Sequence, residues 1–300
     1  VIMTFANMID MLTVNPCIKI AMKASPHTFD SLLSDKLTTD MLPNFIYGSY
    51  IGLAVTVFGL VPTITAMFGK SILPSLAESC AKNDKKAIQS GLTKMLIVTS
   101  IIAIPAGMGI AVLSEPILHF LFGGRETEIQ VCIMPMSILG IAVIFLAIAT
   151  PCFAILQTLG KPHKAIIIML TGGIIKLFLN IILIRQPIIN ISGAAISTLV
   201  SEVFICALSV RSVCKMTDLK PKVSEIFVKP TYAAIMCSVT AVLSHETLTK
   251  IANLQINHRF VTLFSIGIGS TMYFFCLYLL CETPKNIVNY IFSKKNPQNP

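Results

Sequence analysis

Residues 47–78 read YGSYIGLAVTVFGLVPTITAMFGKSILPSLAE, an apolar run that is interrupted by glycines and two prolines. At about 1.5 Å per residue, a continuous helix of this length measures roughly 48 Å, whereas the hydrocarbon core of a bilayer is roughly 30 Å thick. The run therefore predicts a spanning helix that bends or continues past the membrane. Because proline removes a backbone donor and clashes with the preceding turn, Pro62 and Pro74 are the expected bend points, with Gly59 as a third hinge candidate. Two roles are open for this helix: a kinked packing element, or a moving wall of a transport path.

The composition of the whole chain is that of a polytopic membrane protein. Hydrophobic residues make up 54% of the 300 residues, charged residues only 12%, and the mean hydropathy is +0.80. In soluble domains, about a quarter of all residues are usually charged. The sequence predicts an all-α protein with about eight spans, at residues 1–22, 47–79, 95–118, 129–158, 165–184, 193–213, 230–247 and 260–282.

Basic residues are unevenly distributed among the loops. Most of them fall in residues 80–94, 160–164, 211–229 and 283–300, which alternation of the spans places on one side of the membrane. Cytoplasmic loops of membrane proteins carry an excess of Lys and Arg, so this side is predicted to be cytoplasmic, with the C-terminus inside. The net charge of +9 is then accounted for by orientation, and no nucleic-acid partner is expected.

Signatures of enzymes and of metal or cofactor sites are lacking in the sequence. It contains no Walker-type glycine loop, GxSxG elbow, HExxH motif or clustered acids of the DxD type. The nine cysteines form no CxxC pair and have no histidine at ligand spacing. We therefore expect neither an enzyme nor a bound metal or cofactor.

Two charged residues fall at membrane depth in consecutive predicted spans. Lys176 lies nine residues before Arg185, and Glu202 lies nine residues after Gly193, so both are expected roughly 14 Å below the outer surface. Charges at this depth are costly and indicate a function by default. Two interpretations are open: a buried Lys176–Glu202 ion pair that fixes the helix register, or a cavity in which Lys176 contacts an anionic group.

Further polar residues extend this candidate site. Asn180 lies one helical turn after Lys176, on the same predicted face. Asp10 and Asn15 in the first span either belong to the same cavity or hydrogen-bond a neighbouring helix. Lys19 and Lys70 lie near span ends and are expected to extend toward an interface. The candidate substrate-path residues are Asp10, Asn15, Lys176, Asn180 and Glu202.

Four stretches carry a family resemblance. They are the run at 47–78 with its continuation SCAKNDKKAIQ, then IPAGMGIAVLSEPILHFLFGG, ILQTLGKPHKAIIIMLTGGIIKLFLNIILI and INISGAAISTLVSE. They resemble the C-terminal half of multidrug/oligosaccharidyl-lipid/polysaccharide exporters, in particular the stage V sporulation protein B branch, which is related to the lipid II flippase. The resemblance covers residues 1–214 and leaves 215–300 as a basic linker and appended helix pair with a cytoplasmic tail.

The resemblance implies a transporter of two six-helix lobes that moves undecaprenyl-pyrophosphate-linked saccharides across the bacterial plasma membrane. Residues 1–214 would be the second lobe, and the N-terminal lobe is expected to be missing from this chain. The lipid II flippase branch is expected to carry an arginine in the region matching residues 47–78; none occurs here, so Lys70 or Lys176 is the candidate replacement. The alternatives are a cation-coupled multidrug exporter of the same superfamily and a non-transporting scaffold in cell-wall or sporulation assembly.

Overall fold

The computed structural model of the chain describes residues 2–25, 38–82, 84–218, 224–252 and 258–280. These residues form helices and short connections with no strand among them, which confirms the predicted all-α class. The helices are α1 (Ile2–Ala24), α2 (Leu42–Ser49), α3 (Thr56–Phe58), α4 (Leu60–Ala81), α5 (Lys85–Val112), α6 (Ser114–Phe122), α7 (Glu126–Thr158), α8 (Pro162–Leu183), α9 (Ser192–Thr217), α10 (Lys229–Ala252) and α11 (His258–Leu280).

Seven helical segments of the described chain are long and apolar enough to cross a membrane. They correspond to the second to eighth predicted spans. The first predicted span forms α1, whose 23 residues give a length of about 35 Å, but α1 is not among the seven. The reason is its polar content, which includes Asn7, Asp10 and Asn15. The seven segments are Leu42–Ser79, Lys85–Val112, Glu126–Thr158, Pro162–Leu183, Ser192–Thr217, Ile226–Lys250 and Phe260–Leu279.

The second span departs from regular α-helix at two places. Residues Tyr50–Val55 form a π-helical stretch, and a turn at Gly59 separates α3 from α4. Pro62 lies in the first turn of α4, where a backbone N–H has no helical acceptor in any case. Pro74 lies inside α4, and the helix continues through it. The π-helical stretch was not predicted, because no proline marks it.

The long helix α7 is the centre of the bundle. It packs against α4, α5 and α9 and buries residues along its whole length. Its crossing with α5 is very close: a Cβ atom added at Gly107 would lie 2.6 Å from the carbonyl oxygen of Gly140. Small residues permit such close approach of helices in membranes, so these two glycines set the distance between α5 and α7.

Helices α10 and α11 pack against each other and dock on one side of the bundle. Helix α10 contacts α5, and α11 contacts α6. The Tyr273 hydroxyl donates a hydrogen bond to the carbonyl oxygen of Ile101, at 2.8 Å. The pair is therefore anchored on α5.

Candidate functional site

A buried polar network joins α1, α8 and α9, and an ion pair lies within it. Lys176 Nζ on α8 is 2.8 Å from Asp10 Oδ2 on α1, and the two side chains are only 3% and 2% exposed. Lys176 also donates to the carbonyl oxygen of Ala6, at 3.2 Å. The lysine thus ties one turn of α1 to α8 by two hydrogen bonds.

Asn180 links this ion pair to α9. Its amide nitrogen donates to Asp10 Oδ1 and to Thr13 Oγ1, each at 2.9 Å, and its amide oxygen accepts a hydrogen bond from Ser197. Residues three or four apart share one face of a helix, so Asp10 and Thr13 face the same partner. Both carboxylate oxygens of Asp10 therefore have hydrogen-bond partners. Together, Asp10 and Asn180 connect α1, α8 and α9 and fix their relative positions.

Removing one member of a buried ion pair strongly lowers the stability of the fold. A buried ion pair gives little net stability over an apolar replacement, but loss of one partner leaves an uncompensated charge and costs about 3–5 kcal/mol. The Asp10–Lys176 pair is therefore a constraint on how α1 sits against α8. It also means that the Lys176 ammonium is already neutralised in this arrangement.

Glu202 has a different environment. It is 2% exposed, and its Oε2 atom has no hydrogen-bond partner among the described residues. A small, partly open pocket between α1, α8 and α9 is lined by Lys176 and Glu202 together with Ala6, Met169, Gly172, Gly173, Ser201 and Ile205. The predicted proximity of Lys176 and Glu202 is therefore found, but in the described chain the ion pair of Lys176 is with Asp10.

The fifth predicted residue lies outside this network. Asn15 Nδ2 donates to Asn44 Oδ1 at 3.0 Å, which joins α1 to α2 at an exposed position. Lys19 and Lys70, the two lysines predicted near span ends, both have exposed side chains. Neither contributes to the buried site.

Three further groups belong to the site. Thr13, Ser197 and the carbonyl group of Ala6 complete the contacts of Asn180 and Lys176. The i, i+3 spacing from Asp10 was a signal for Thr13. No sequence signal identifies a backbone carbonyl as an acceptor, because every residue carries one.

An exposed stripe of small and polar residues on the second span was also missed. Its members recur at about every fourth position, which places them on one helical face; they are Asn44, Gly48, Gly52, Thr56 and Thr63. Thr56 and Thr63 donate to backbone carbonyls of their own segment. The i, i+4 spacing of these residues was the available signal.

Metal chemistry has no support in the part of the chain that the structure describes. Within it, no group of three or more His, Cys, Asp or Glu side chains could hold a metal ion. The cysteines described there, such as Cys152 and Cys206, are free thiols.

Comparison with known proteins gives a family match. The family model described as "Lipid II flippase MurJ" matches residues 47–265. The lipid II flippase MurJ of Bacillus subtilis (strain 168) is 21% identical over 225 residues, which are 73% of this chain and 40% of that protein. Stage V sporulation protein B of the same strain is 22% identical over 182 residues, 60% of this chain and 34% of that protein.

An archaeal relative and two solved structures extend the comparison. The probable low-salt glycan biosynthesis flippase Agl15 of Haloferax volcanii is 26% identical over 186 residues, 61% of this chain and 38% of that protein. The structure of the lipid II flippase MurJ in an inward closed conformation has a TM-score of 0.61 at 16% identity, over 84% of this chain and 48% of that one. An inward-facing multidrug resistance MATE family transporter has a TM-score of 0.53 at 15% identity, over 88% and 56%. The chain thus spans about 40% of the length of the first of these curated relatives.

Proposed function

Because this chain belongs to the lipid II flippase MurJ family, we propose that it forms part of a membrane transporter that flips a lipid-linked saccharide across the bilayer. The observation that carries the proposal is the family match over residues 47–265. Relatives described as flippases from both a bacterium and an archaeon support the same class. The proposed activity is transport without a covalent reaction.

In this proposal the chain works as one of two lobes. Residues 1–214 form a six-helix lobe, residues 215–300 form a basic linker and appended helix pair with a cytoplasmic tail, and a separate N-terminal lobe completes the cavity. The proposal is supported by coverage, since the chain spans 48% of the solved lipid II flippase structure. The C-terminus lies in the cytoplasm according to the distribution of basic residues.

The proposed substrate is an undecaprenyl-pyrophosphate-linked oligosaccharide or peptidoglycan precursor in a bacterial plasma membrane. The relatives described as a lipid II flippase and a sporulation protein support this substrate class. A pyrophosphate carries negative charge, and the ammonium group of a lysine is a common phosphate ligand in proteins. Lys176 is the buried cation available for that role.

The mechanism proposed here requires α1 to move relative to α8. With Asp10 at 2.8 Å, Lys176 is neutralised and closed off from a headgroup. Separation of α1 from α8 would release the ammonium toward the substrate path, to which Asn15, Asn180 and Glu202 also belong. The exposed stripe that runs from Asn44 to Thr63 supplies a small, polar wall along which a saccharide headgroup slides.

In this mechanism the long second span bends as the transporter changes conformation. Gly59, Pro62 and Pro74 are its proposed hinges, which alternate the cavity between inward and outward access. Support comes from the turn at Gly59 and from Pro74, which lacks the backbone donor of a regular helix.

A flipping assay on the reconstituted full-length transporter tests the proposal. Vesicles carrying a fluorescent lipid-linked saccharide are expected to show protein-dependent translocation, which protein-free vesicles lack. Lys176→Ala should reduce the rate by roughly tenfold or more, equivalent to about 1.4 kcal/mol in the barrier, while Lys161→Ala at an exposed helix cap should not. Absence of translocation by the wild-type protein would refute the proposed function; equal rates for both variants would refute only the role of Lys176.

A cation-coupled multidrug exporter is the second candidate. It is supported by the fold alone, through the likeness to the MATE family transporter. Export of cationic dyes from vesicles, with no movement of lipid-linked saccharide, would favour it over the flippase.

A further inference from the structure

Glu202 on α9 is a buried acid that the interactions of the site leave unused. Its side chain is 2% exposed, its Oε2 atom has no hydrogen-bond partner among the described residues, and it faces the pocket that Lys176 also lines. Asp10, the other acid that is buried in the described chain, is engaged by Lys176 and Asn180. Burying a carboxyl group without a hydrogen-bond partner is costly if the group is ionised, so its charge state has to be explained.

The number of charged groups around the pocket indicates the charge state of Glu202. Two acids, Asp10 and Glu202, share one base, Lys176, whose ammonium is hydrogen-bonded to Asp10 and to the Ala6 carbonyl. With all three groups ionised, the cluster would carry one uncompensated negative charge in a medium of low dielectric constant, which is costly. One proton, held by the acid that lacks a partner, removes that charge.

Within the described ranges, the remaining neighbours of α9 offer no second base near Glu202. On α9 itself Cys206 lies one turn away, and on α7 the titratable side chain beside Cys206 is Cys152. Helix α5 approaches the far end of α9, where Lys85 lies 3.7 Å from Asp218, sixteen residues beyond Glu202. The charge on Glu202 is therefore governed by Lys176 and, through it, by Asp10.

A proton fits this pocket better than a metal ion. The only side-chain oxygens among its lining residues are those of Ser201 and Glu202, and the rest of the lining is apolar except for the Lys176 ammonium. Hard divalent cations require about six oxygen ligands, which this lining does not provide. The nearby ammonium also opposes a second cation.

We propose that Glu202 is a proton-binding residue that competes with Asp10 for Lys176. When the Glu202 carboxyl is protonated, Lys176 pairs with Asp10 and holds α1 against α8. When its O–H bond breaks and the proton passes to a water molecule in the partly open pocket, the new carboxylate attracts the ammonium across the pocket. Asp10 then loses its ion pair, and α1 is held to α8 in this network only by the hydrogen bonds of Asn180.

The inference makes loss of the proton from Glu202 the step that weakens the attachment of α1 to α8. The flexible four-carbon stem of lysine allows the ammonium to change partners without movement of α8. The link to transport rests on the proposed function, whereas the proton site itself does not.

Infrared difference spectroscopy on the whole chain in lipid nanodiscs tests the proton site directly. At neutral pH, exposed carboxyls with ordinary pKa values of about 4 are ionised, so a carboxylic acid carbonyl band reports a buried, protonated acid. We expect such a band in the wild-type protein, a shift of it on labelling with carbon-13 glutamate, and its loss as the pH is raised. Glu202→Gln should lack the band, and the matched control Glu115→Gln, at an exposed position on α6, should retain it.

A second variant tests the competition between the two acids. In Asp10→Asn, Lys176 has only Glu202 as an acidic partner, so Glu202 should ionise and the band should disappear. A band that persists in Glu202→Gln, or its absence from the wild-type protein, would overturn the proton site. A band that persists in Asp10→Asn would overturn the competition for Lys176.

The flipping assay separates this inference from the proposed function. Translocation of lipid-linked saccharide without the infrared band would leave the flippase standing and remove the proton site. The band in its expected pattern, without translocation by the reconstituted full-length transporter, would keep the proton site and remove the flippase. A translocation rate that changes with a pH gradient in the wild type, but not in Glu202→Gln, would support both.

Discussion

Lys176 Nζ lies 2.8 Å from Asp10 Oδ2, although the two residues are 166 positions apart in the chain. The pair joins the first and fifth predicted spans, and both side chains are removed from solvent. Because the pair lies buried at the contact of α1 and α8, its loss should disturb how those helices pack. The first prediction therefore concerns this pair.

Lys176→Met should lower the free energy of unfolding by about 3–5 kcal/mol, because it leaves the Asp10 carboxylate buried without a counter-charge. Thermal denaturation in detergent measures the loss. The reciprocal exchange Asp10→Lys with Lys176→Asp should recover most of it. The exchange Lys176→Glu with Glu202→Lys should not, since it places a second acid beside Asp10; full recovery there would show that Glu202 is the structural partner.

Asn180→Ala should also be destabilising, by about 1–3 kcal/mol for each buried polar group left without a partner. The group that loses its partner is Asp10 Oδ1, whereas the Thr13 and Ser197 hydroxyls keep their hydrogen bonds to the carbonyl oxygens of Ile9 and Ala194. Asn44→Ala is the control, since it removes a single amide contact at an exposed position. Equal melting temperatures for the two variants would contradict the role given to Asn180.

Gly107→Ala should destabilise the contact of α5 with α7 by about 1–3 kcal/mol, the usual cost of overpacking. The added Cβ would meet the carbonyl oxygen of Gly140 at 2.6 Å, and a backbone atom yields little. Gly109→Ala, two residues further along the same helix, meets nothing within 4 Å and should be neutral or stabilising by up to about 1 kcal/mol. Protease resistance of the two variants in detergent distinguishes them.

Gln89→Ala should loosen one end of the bundle. The Gln89 amide donates to the carbonyl oxygens of Thr217 and Asp218, at 3.0 and 3.3 Å, and so caps the last turn of α9 from α5. Loss of these bonds should cost about 0.5–1.5 kcal/mol each and raise amide hydrogen exchange in the last turn of α9. Gln130→Ala, at an exposed position of α7, should leave that exchange unchanged.

Pro74→Ala tests the proposed hinge. Restoring a backbone donor within α4 should stabilise the helix, by up to about 3 kcal/mol, and stiffen it, so the flipping rate should fall while the melting temperature rises. The control is Pro162→Ala at the start of α8, where no helical hydrogen bond is missing. A flipping rate unchanged by Pro74→Ala would remove Pro74 from the hinge.

Much of the fold was predictable because it depends on local composition. Long apolar runs form helices in a membrane, since every backbone polar group must be satisfied within the segment. From that rule follow the all-α class and the approximate positions of the seven spanning segments, the first of which begins at Leu42 and was predicted to begin at residue 47. The family followed from motifs spread over four of these runs. The sequence pattern also identified Lys176 and Asn180, because their i, i+4 spacing on an apolar helix places both on one polar face.

Tertiary structure alone decided which groups meet. The sequence suggested Glu202 as the partner of Lys176, because consecutive helices usually lie side by side, whereas the ion pair is made with Asp10 on α1. Likewise, the sequence around Gly107 and Gly140 does not predict that α5 and α7 cross at these residues. Side-chain contacts across helices depend on the depth, rotation and crossing angle of each helix, and these are set by the packing of the whole bundle.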